Sequence, residues 1–401
     1  MNKANKGFLT FCIPLLILFF ISSCEDPGSV GSEFADRPNL TFDTLLVSET
    51  QKLSYVGYSG LLSFIPLGEF SDPLFGDITT LGLLKPIRTP SVPDSIEIAE
   101  SFDMKLELKF DSLQTYGDTL SQSGFSIYEV ISDWRGSTLR LNDDIQYGDL
   151  VGSFTVGDED SLVIEVSEQW KEKYKSYYFN EDANADSAYN YEFQGLAIVS
   201  NQPNSKISFT TVTQSSFLLI NGIDSDTTDT VNIPLNDWGF TLQRDVEPEP
   251  EGTFPIHTTL EGLLEVTIPD SLLKVQNNSK NIVRADLVFF EARDILDSTL
   301  PPNSIRLGVN ILNADIVETF EPEYEYQFGS RDFVGTRGET ESSFQIGITN
   351  YVNNLIFGDQ DIQKLIIGIG SSSGAIRSSL LYDENGPEEY RPRIIITSLE
   401  N

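Results

Sequence analysis

The chain has 401 residues, with 61 acidic and 26 basic side chains and a formal net charge of −35. A surface this negative repels nucleic-acid phosphates and anionic lipid headgroups, which argues against nucleic-acid binding and against electrostatic docking to a membrane. The acidic residues are spread along the chain, as is typical of a solvated exterior. The length is sufficient for two or three domains of ordinary size.

The first 23 residues are typical of a cleaved export signal. Lys3 and Lys6 precede an apolar run over residues 8–21, which is shorter than the roughly 20 apolar residues that a membrane-spanning helix needs. Residues 21–24 (ISSC) resemble the lipobox of bacterial lipoproteins, so we expect cleavage before Cys24 and attachment of a diacylglycerol to its sulfur. The alternative is a plain signal peptide or anchor that happens to contain cysteines.

The two cysteines support this prediction. Cys12 lies in the segment that would be removed, which leaves only the lipidated Cys24 in the mature protein. We therefore expect no disulfide within the mature chain, and stability must come from packing. Residues 24–40 are acidic and rich in Gly, Pro and Ser, which predicts a flexible tether.

Glu25 and Asp26 follow the predicted lipidation site directly. They resemble the acidic export tag that sends lipoproteins of the Bacteroidetes to the cell surface, although ordinary tether composition would explain them equally well. The localisation expected from the N-terminal segment is the outer membrane, with the protein lipid-anchored and exposed on the cell surface.

The rest of the chain shows the pattern of an antiparallel all-β protein. Short runs with period-two alternation are separated by Gly, Pro, Asn and Asp. Met104, Leu106 and Leu108 alternate with charged residues, which predicts one buried and one solvated face. Further strands are predicted at residues 124–131, 150–155, 195–200, 207–212, 217–221, 263–268, 285–291, 305–312, 365–369 and 393–398.

An internal repeat indicates two similar units. Residues 161–167 (SLVIEVS) align without a gap on residues 343–349 (SFQIGIT). Apolar residues then continue at four-residue spacing, which predicts a short amphipathic helix directly after each strand. The spaced apolar residues are Val166, Trp170 and Tyr174 in the first copy and Ile348, Val352 and Ile356 in the second. Ser167 and Thr349 stand where a helix N-cap belongs.

The predicted fold is therefore all-β, with two tandem antiparallel β-sandwich units of jelly-roll type. The first unit is expected over residues 41–244 and the second over residues 253–401, each with one short amphipathic helix. The acidic, Pro-rich segment 245–252 (DVEPEPEG) is expected to be an extended linker between them.

Several segments together resemble a known family. The lipobox, residues 67–76 (LGEFSDPLFG), residues 282–287 (IVRADL) and residues 390–396 (YRPRIII) occur in an order similar to that of Bacteroidetes lipoproteins of domain-of-unknown-function family 4270 (DUF4270). The resemblance covers nearly the whole mature chain. It implies the outer membrane or cell surface and implies no known enzyme activity. The repeated units also look like the jelly-roll modules of bacterial surface and carbohydrate-binding proteins.

The sequence offers little for catalysis, and we predict no catalytic residues. His257 is the only histidine, so a Ser-His-Asp triad or a metal site with several histidines is not expected. We interpret His257 as an ordinary strand-edge or loop residue. No Gly-rich phosphate loop occurs. No two of the many carboxylates stand out as a glycosidase pair.

One loop could hold a cation. Asp182, Asn184 and Asp186 place side-chain oxygens at alternate positions, as calcium coordination requires. The loop departs from the EF-hand pattern, because Ser187 stands where the turn needs glycine and Phe193 replaces the bidentate glutamate. A solvated loop is the alternative, and calcium is the only cofactor that the sequence suggests.

Two tryptophans in turn-like settings, Trp134 and Trp238, are candidates for stacking on sugar rings. A core position is the alternative for both. The expected function is that of a non-catalytic binding or structural component of the cell envelope, with glycans or envelope proteins as partners besides the membrane. The alternative is a carbohydrate-binding surface lipoprotein serving polysaccharide capture, and a glycoside-acting enzyme is less favoured.

Overall fold

The computed structural model describes residues 39–201, 205–221, 228–245, 249–259, 261–272, 281–299, 304–305, 311–316, 333–337, 343–358, 363–369 and 373–400. Within these ranges the chain forms 23 strands and four α-helices. The helices are α1 (Glu168–Tyr178), α2 (Ala185–Glu192), α3 (Arg293–Thr299) and α4 (Thr349–Phe357). None of them is long and apolar enough to cross a membrane.

The strands are β1 (Asn39–Leu46), β2 (Glu49–Ser54), β3 (Phe64–Asp72), β4 (Gly76–Pro86), β5 (Asp103–Lys109), β6 (Tyr116–Asp118), β7 (Ser123–Val130), β8 (Tyr147–Val156), β9 (Ser161–Glu165), β10 (Leu196–Ser200), β11 (Lys206–Thr211), β12 (Ser216–Asn221), β13 (Asp229–Asp245), β14 (Thr253–His257), β15 (Gly262–Thr267), β16 (Asn281–Phe290), β17 (Ser304–Ile305), β18 (Ile311–Ile316), β19 (Phe333–Arg337), β20 (Ser343–Gly347), β21 (Lys364–Ile369), β22 (Ser378–Tyr382) and β23 (Arg393–Glu400).

The strands form two large antiparallel sheets and one short pair. The twelve-stranded sheet has the order β17-β6-β11-β3-β4-β13-β12-β5-β9, with β10 also pairing β4 and leading to β7 and β8. The nine-stranded sheet has the order β1-β23-β16-β20-β19-β18-β21-β15-β2, and β14 pairs with β22. The predicted all-β, sandwich-like fold is confirmed.

Each large sheet has its own apolar core. In the first core, Met104, Leu106 and Leu108 are fully buried, as their alternation predicts, and Trp170 and Tyr174 of α1 pack with them. The second core combines the buried faces of β15, β16, β20, β21 and β23 with α4. The alternation of apolar residues therefore has a direct physical cause, since one face of each strand is removed from water.

The internal repeat corresponds to matching structure. Ile164 of β9 lies opposite Leu106 of β5, and Ile346 of β20 lies opposite Leu287 of β16, so the two copies share one register. A helix follows each strand, as predicted. Ser167 caps α1, since its hydroxyl accepts a hydrogen bond from the Trp170 amide.

The predicted capping role of Thr349 is wrong. Helix α4 begins at Thr349 itself, after Ile348. The Thr349 hydroxyl instead accepts a hydrogen bond from the Ala285 amide at 3.0 Å, so it is used by the neighbouring strand β16 rather than by its own helix. Two further helices, α2 and α3, were not predicted.

The first two strands belong to the nine-stranded sheet. β1 pairs with β23 along its whole length, and β2 pairs with β15, although the predicted first unit includes both strands. β1 and β2 are the two edge strands of this sheet, and only Val47 and Ser48 separate them in the chain. The last Cα atom of β1 and the first Cα atom of β2 therefore lie within about 11 Å of each other. The sheet therefore curls back on itself around the second core.

The bounds of two other predicted segments also differ from those in the structure. The strand predicted at 305–312 corresponds to β17 and β18, and residues 306–310 lie outside the described residues. β13 continues to Asp245, which was assigned to the linker. Of the rest of that linker, Glu249 pairs with Lys52, and the buried Gly252 accepts a hydrogen bond from the Asp383 amide at 3.0 Å, while Glu251 is exposed.

Candidate functional site

A cavity of about 470 Å³ lies where the two large sheets meet. Strands β2, β15 and β21 of the nine-stranded sheet, β13 and two loops of the twelve-stranded sheet, and β14 form its walls. The apolar lining residues are Leu53, Tyr55, Val56, Leu74, Phe75, Leu141, Leu242, Phe254, Pro255, Ile256, Leu263, Leu264 and Ile367. The polar lining residues are Lys52, Ser54, Asn142, Arg244, Glu249, His257 and Glu261.

A tight hairpin between β3 and β4 sets one wall. Asp72 accepts hydrogen bonds from the amides of Leu74 and Phe75 at 2.8 and 3.0 Å, and the Tyr116 hydroxyl donates to its other carboxylate oxygen at 2.6 Å. Gly76 ends the turn with a φ of 78°, which favours glycine. The Phe75 carbonyl is thereby fixed at the cavity, where it accepts a hydrogen bond from Arg244 Nη1 at 3.0 Å.

A bidentate ion pair joins two residues that precede and follow the predicted linker 245–252 in the chain. Arg244, near the end of β13, donates through Nη2 to Oε1 of Glu261 at 2.9 Å and through Nε to Oε2. The Thr259 hydroxyl donates to the same carboxylate. The Arg244 side chain is only 4% exposed, so the pair is largely removed from water. A fork of this geometry is the arrangement in which guanidinium and carboxylate bind most strongly.

Burial and ion pairing have opposite effects on the pKa values of Glu261 and Arg244 in this wall. Burial would raise the pKa of Glu261, but Arg244, His257 and the hydrogen bonds that the carboxylate accepts outweigh it and lower the pKa to about 2. Burial would lower the pKa of Arg244, and Glu261 reverses that effect. Both groups therefore remain charged at neutral pH.

His257 is the third polar group of this wall. Its Nδ1 lies 2.8 Å from the Ser378 hydroxyl, and its ring meets Phe75 edge to face at 5.6 Å between centroids. Burial lowers its pKa to about 3, with a smaller contribution from the nearby guanidinium of Arg244. The imidazole is therefore neutral at physiological pH. Its Nε2 has no hydrogen-bond partner among the described residues.

The pairing of His257 with Ser378 lacks the other features of a catalytic triad. Ser378 is 1% exposed and does not line the cavity, so a substrate carbonyl cannot approach its oxygen. Within the described ranges, no carboxylate hydrogen-bonds to the imidazole. A base with so low a pKa is also a weak proton acceptor at neutral pH.

The charges around the cavity balance. At the rim, Lys52 pairs with Glu249, and in the wall Arg244 pairs with Glu261. With His257 neutral, two positive groups face two negative ones. The cavity thus combines apolar walls with ion pairs that already satisfy each other, and the overall acidity of the chain is not concentrated there.

The two tryptophans proposed as sugar platforms do not line this cavity. Trp134 is only 6% exposed, and its indole N–H donates to the Gln194 carbonyl at 2.8 Å, so it is a core residue and the interpretation as an exposed platform is wrong for it. Trp238 is partly buried, and its indole N–H donates to the Leu62 carbonyl at 2.7 Å. Both rings fill space beside the strands of the twelve-stranded sheet.

The candidate calcium ligands do not form one loop around a shared point. Asp182 lies in a turn, Asn184 precedes α2, and Asp186 lies inside that helix, where it pairs with Arg88 at 2.6 Å. Across the described residues, no group of three or more His, Cys, Asp or Glu side chains could hold a metal ion. Cys24 lies outside the described residues, so its lipidation stays a prediction.

No protein-family model matches the chain, and no curated protein matches it. Among solved structures, it aligns with infectious bursal disease virus of the Gt strain at 11% identity and a TM-score of 0.09, covering 91% of this chain and 77% of that one. It aligns with the Sputnik virophage at 9% identity and a TM-score of 0.09, covering 91% and 86%. Scores this low carry no argument about fold or function.

Proposed function

We propose that this protein is a non-catalytic binding component of the cell envelope, anchored in the outer membrane by a lipid on Cys24 and exposed on the cell surface. The cavity between the two sheets is the observation that supports binding. It has the volume of a small-molecule site and a mainly apolar lining with a few polar groups.

The order of elements links the predicted anchor to the cavity. Residues 25–38 separate Cys24 from β1 and reach at most about 50 Å when fully extended. Strand β2 follows β1 directly, and its residues Lys52, Leu53 and Ser54 line the cavity. A protein tethered in this way would hold its cavity within a short distance of the membrane surface.

We propose a protein without catalytic activity mainly because of the state of His257 and its neighbours. The neutral imidazole, the inaccessible Ser378 and the self-satisfied pair of Arg244 with Glu261 leave the cavity wall without an activated nucleophile. Carbohydrate capture receives less support, because Trp134 is buried and both tryptophans lie outside the cavity lining.

The anchor is tested by two matched cysteine substitutions in cells. Cys24→Ser removes the predicted acceptor of the lipid, whereas Cys12→Ser changes the cysteine of the predicted signal peptide and serves as control. We expect Cys24→Ser to abolish labelling by radioactive palmitate, with Cys12→Ser unchanged. Persistent lipid labelling of Cys24→Ser, or a mature N-terminus upstream of residue 24, would refute the anchor.

A further inference from the structure

The cavity also indicates which class of ligand it receives. We propose that it binds a neutral, mainly apolar small molecule that carries a hydroxyl group, with the hydroxyl against His257 and the apolar body against the walls. This inference rests on the proposed binding function and adds to it the chemistry of the ligand.

The apolar body follows from the lining. Leu242, Phe254, Leu263 and Leu264 are buried residues that line the cavity from β13, β14 and β15. Apolar ligand surface placed against them leaves water, which favours binding without requiring further polar contacts. A volume of about 470 Å³ accommodates a ligand of one or a few rings.

The neutrality of the ligand follows from the paired charges. Arg244 donates to both carboxylate oxygens of Glu261, and Lys52 pairs with Glu249. A charged ligand would lose its hydration in an apolar cavity and find no counter-charge that is not already engaged. An anion would additionally lie close to two carboxylates, and a cation close to a guanidinium and an ammonium group.

We infer the hydroxyl group of the ligand from the ring nitrogen of His257 that is left for a ligand to bind. His257 uses Nδ1 in its contact with Ser378, while Nε2 has no partner among the described residues. A neutral imidazole offers one donor and one acceptor, and which nitrogen carries the proton depends on the tautomer. A hydroxyl can both donate and accept, so it satisfies Nε2 in either case.

Free sugars fit this site poorly. A monosaccharide carries a hydroxyl on nearly every ring carbon, and each buried hydroxyl needs a partner. Besides His257, the uncharged polar side chains of the lining are Tyr55, which is buried, and Ser54 and Asn142, which are exposed at the rim. Most hydroxyls of a sugar in the cavity would therefore remain unsatisfied.

Four small probes separate these properties. They are 2-naphthol, naphthalene without the hydroxyl, 2-naphthoate with a negative charge, and glucose. The probes are titrated by calorimetry into the lipid-free mature chain, residues 25–401, and binding is located by the NMR signals of the single histidine. We expect 2-naphthol to bind and to shift the His257 imidazole signals, with naphthalene about three- to tenfold weaker, as one lost hydrogen bond predicts. Naphthoate and glucose should bind at least about tenfold more weakly than 2-naphthol.

Two substitutions link binding to the cavity. Ser54→Trp places a large ring at the exposed rim and should abolish binding of 2-naphthol, whereas Gln51→Trp on the same strand lies outside the lining and should leave it unchanged. His257→Phe keeps the ring volume and removes Nε2, so 2-naphthol and naphthalene should then bind equally. Near-UV circular dichroism identifies any variant that fails to fold, and Ser54→Trp tests the site without altering the core.

Unchanged 2-naphthol binding in Ser54→Trp, or naphthoate binding as tightly as 2-naphthol, would overturn the proposal. Tight glucose binding blocked by Ser54→Trp would overturn the ligand class while keeping the binding function. No binding by any of the four probes would overturn the ligand class as well. None of these results depends on lipidation, because the probes are measured on the lipid-free chain, so the anchor on Cys24 stands or falls separately.

Discussion

At Arg244, burial and pairing act in opposite directions, and pairing determines the charge. The guanidinium is nearly inaccessible to water, yet it keeps its charge because Glu261 binds it through both carboxylate oxygens. Removing one partner would leave the other as an uncompensated buried charge, which is far more costly than removing both.

A single and a double substitution of this pair test that reasoning. We expect Arg244→Met to lower the free energy of unfolding by about 3–5 kcal/mol, and Arg244→Met/Glu261→Met to lower it by much less. Chemical denaturation at pH 7 measures both. The exposed pair of Lys105 with Glu165 serves as control, since Lys105→Met should cost less than about 1 kcal/mol. A near-neutral Arg244→Met would contradict the description of the pair.

The same pair predicts a dependence on acid. The folded pKa of Glu261 is lowered to about 2 from an ordinary value of 4.5, so its contribution to stability is complete above about pH 4.5 and is lost as the pH falls towards 2. The difference in unfolding free energy between the wild type and Glu261→Gln should therefore shrink steadily in denaturation series between pH 5 and pH 3. A difference that stays constant over this range would mean that the carboxylate is not held ionised.

At the scale of elements, the N-terminal strands are the least local feature of the fold. β1 completes one edge of the nine-stranded sheet beside β23, while β2 completes the other edge beside β15. Residues at opposite ends of the chain thus protect each other's backbone hydrogen bonds.

Shortening the chain tests this pairing. A chain that begins at residue 47 lacks β1, so the amides of Ile394–Thr397 that point towards β1 should lose protection in hydrogen exchange measured by mass spectrometry. The amides that point towards β16, and those of Met104–Leu108 in the other sheet, should stay protected. A chain that begins at residue 39 provides the control and should match a chain that begins at residue 25. Equal protection of Ile394–Thr397 in both chains would show that β1 is dispensable.

The elements differ in how well sequence reasoning predicts them, and the reason is physical. Alternation over 103–109 predicts a strand because burial on one face is a local property, and the repeat predicts the strand and helix around Ser167 for the same reason. Alternation of apolar residues does not indicate which strands pair with each other, so the pairing of β1 with β23 could not be predicted. Helix α2 was missed because only Ala185 and Tyr189 of its eight residues are buried, which leaves a weak amphipathic signal.

The cavity residues were missed for a related reason. Arg244 and Glu261 lie close to the acidic segment that predicted a linker, and nothing in their spacing shows that the chain brings them face to face. Opposite charges flanking a Pro-rich segment were the one available signal. His257 was correctly placed in a strand-edge or loop setting, since it ends β14, but its neighbours come from β13, β22 and the β3–β4 hairpin.

At the scale of the whole molecule, the two halves of the chain, which are the predicted units 41–244 and 253–401, are joined by hydrogen bonds and a shared sheet. β17 pairs with β6 of the other half, the Phe64 amide donates to the Ser373 carbonyl at 2.8 Å, and Arg377 donates to Gln114. Together with the cavity, these contacts predict that neither half reaches its native stability alone.

Dividing the chain tests this dependence. The fragment 249–401 lacks β1 and β2, so it should show no cooperative thermal unfolding, and adding the peptide 39–54 in trans should restore it at least in part. A peptide with the same composition in scrambled order is the control. Cooperative unfolding of the fragment without any peptide would show that the second half is independent.

The charge balance of the cavity between the sheets depends on His257 being neutral, and this can be measured directly. The chain contains one histidine, so ¹H–¹⁵N correlation spectra of the imidazole report on this site alone. We expect the ring to stay unprotonated from pH 8 down to about pH 5, because its folded pKa is about 3, and the protein to lose stability as the pH falls below 6.5, where the unfolded chain takes up the proton. A titration midpoint near 6.5 in the folded protein would contradict the buried, charge-balanced cavity.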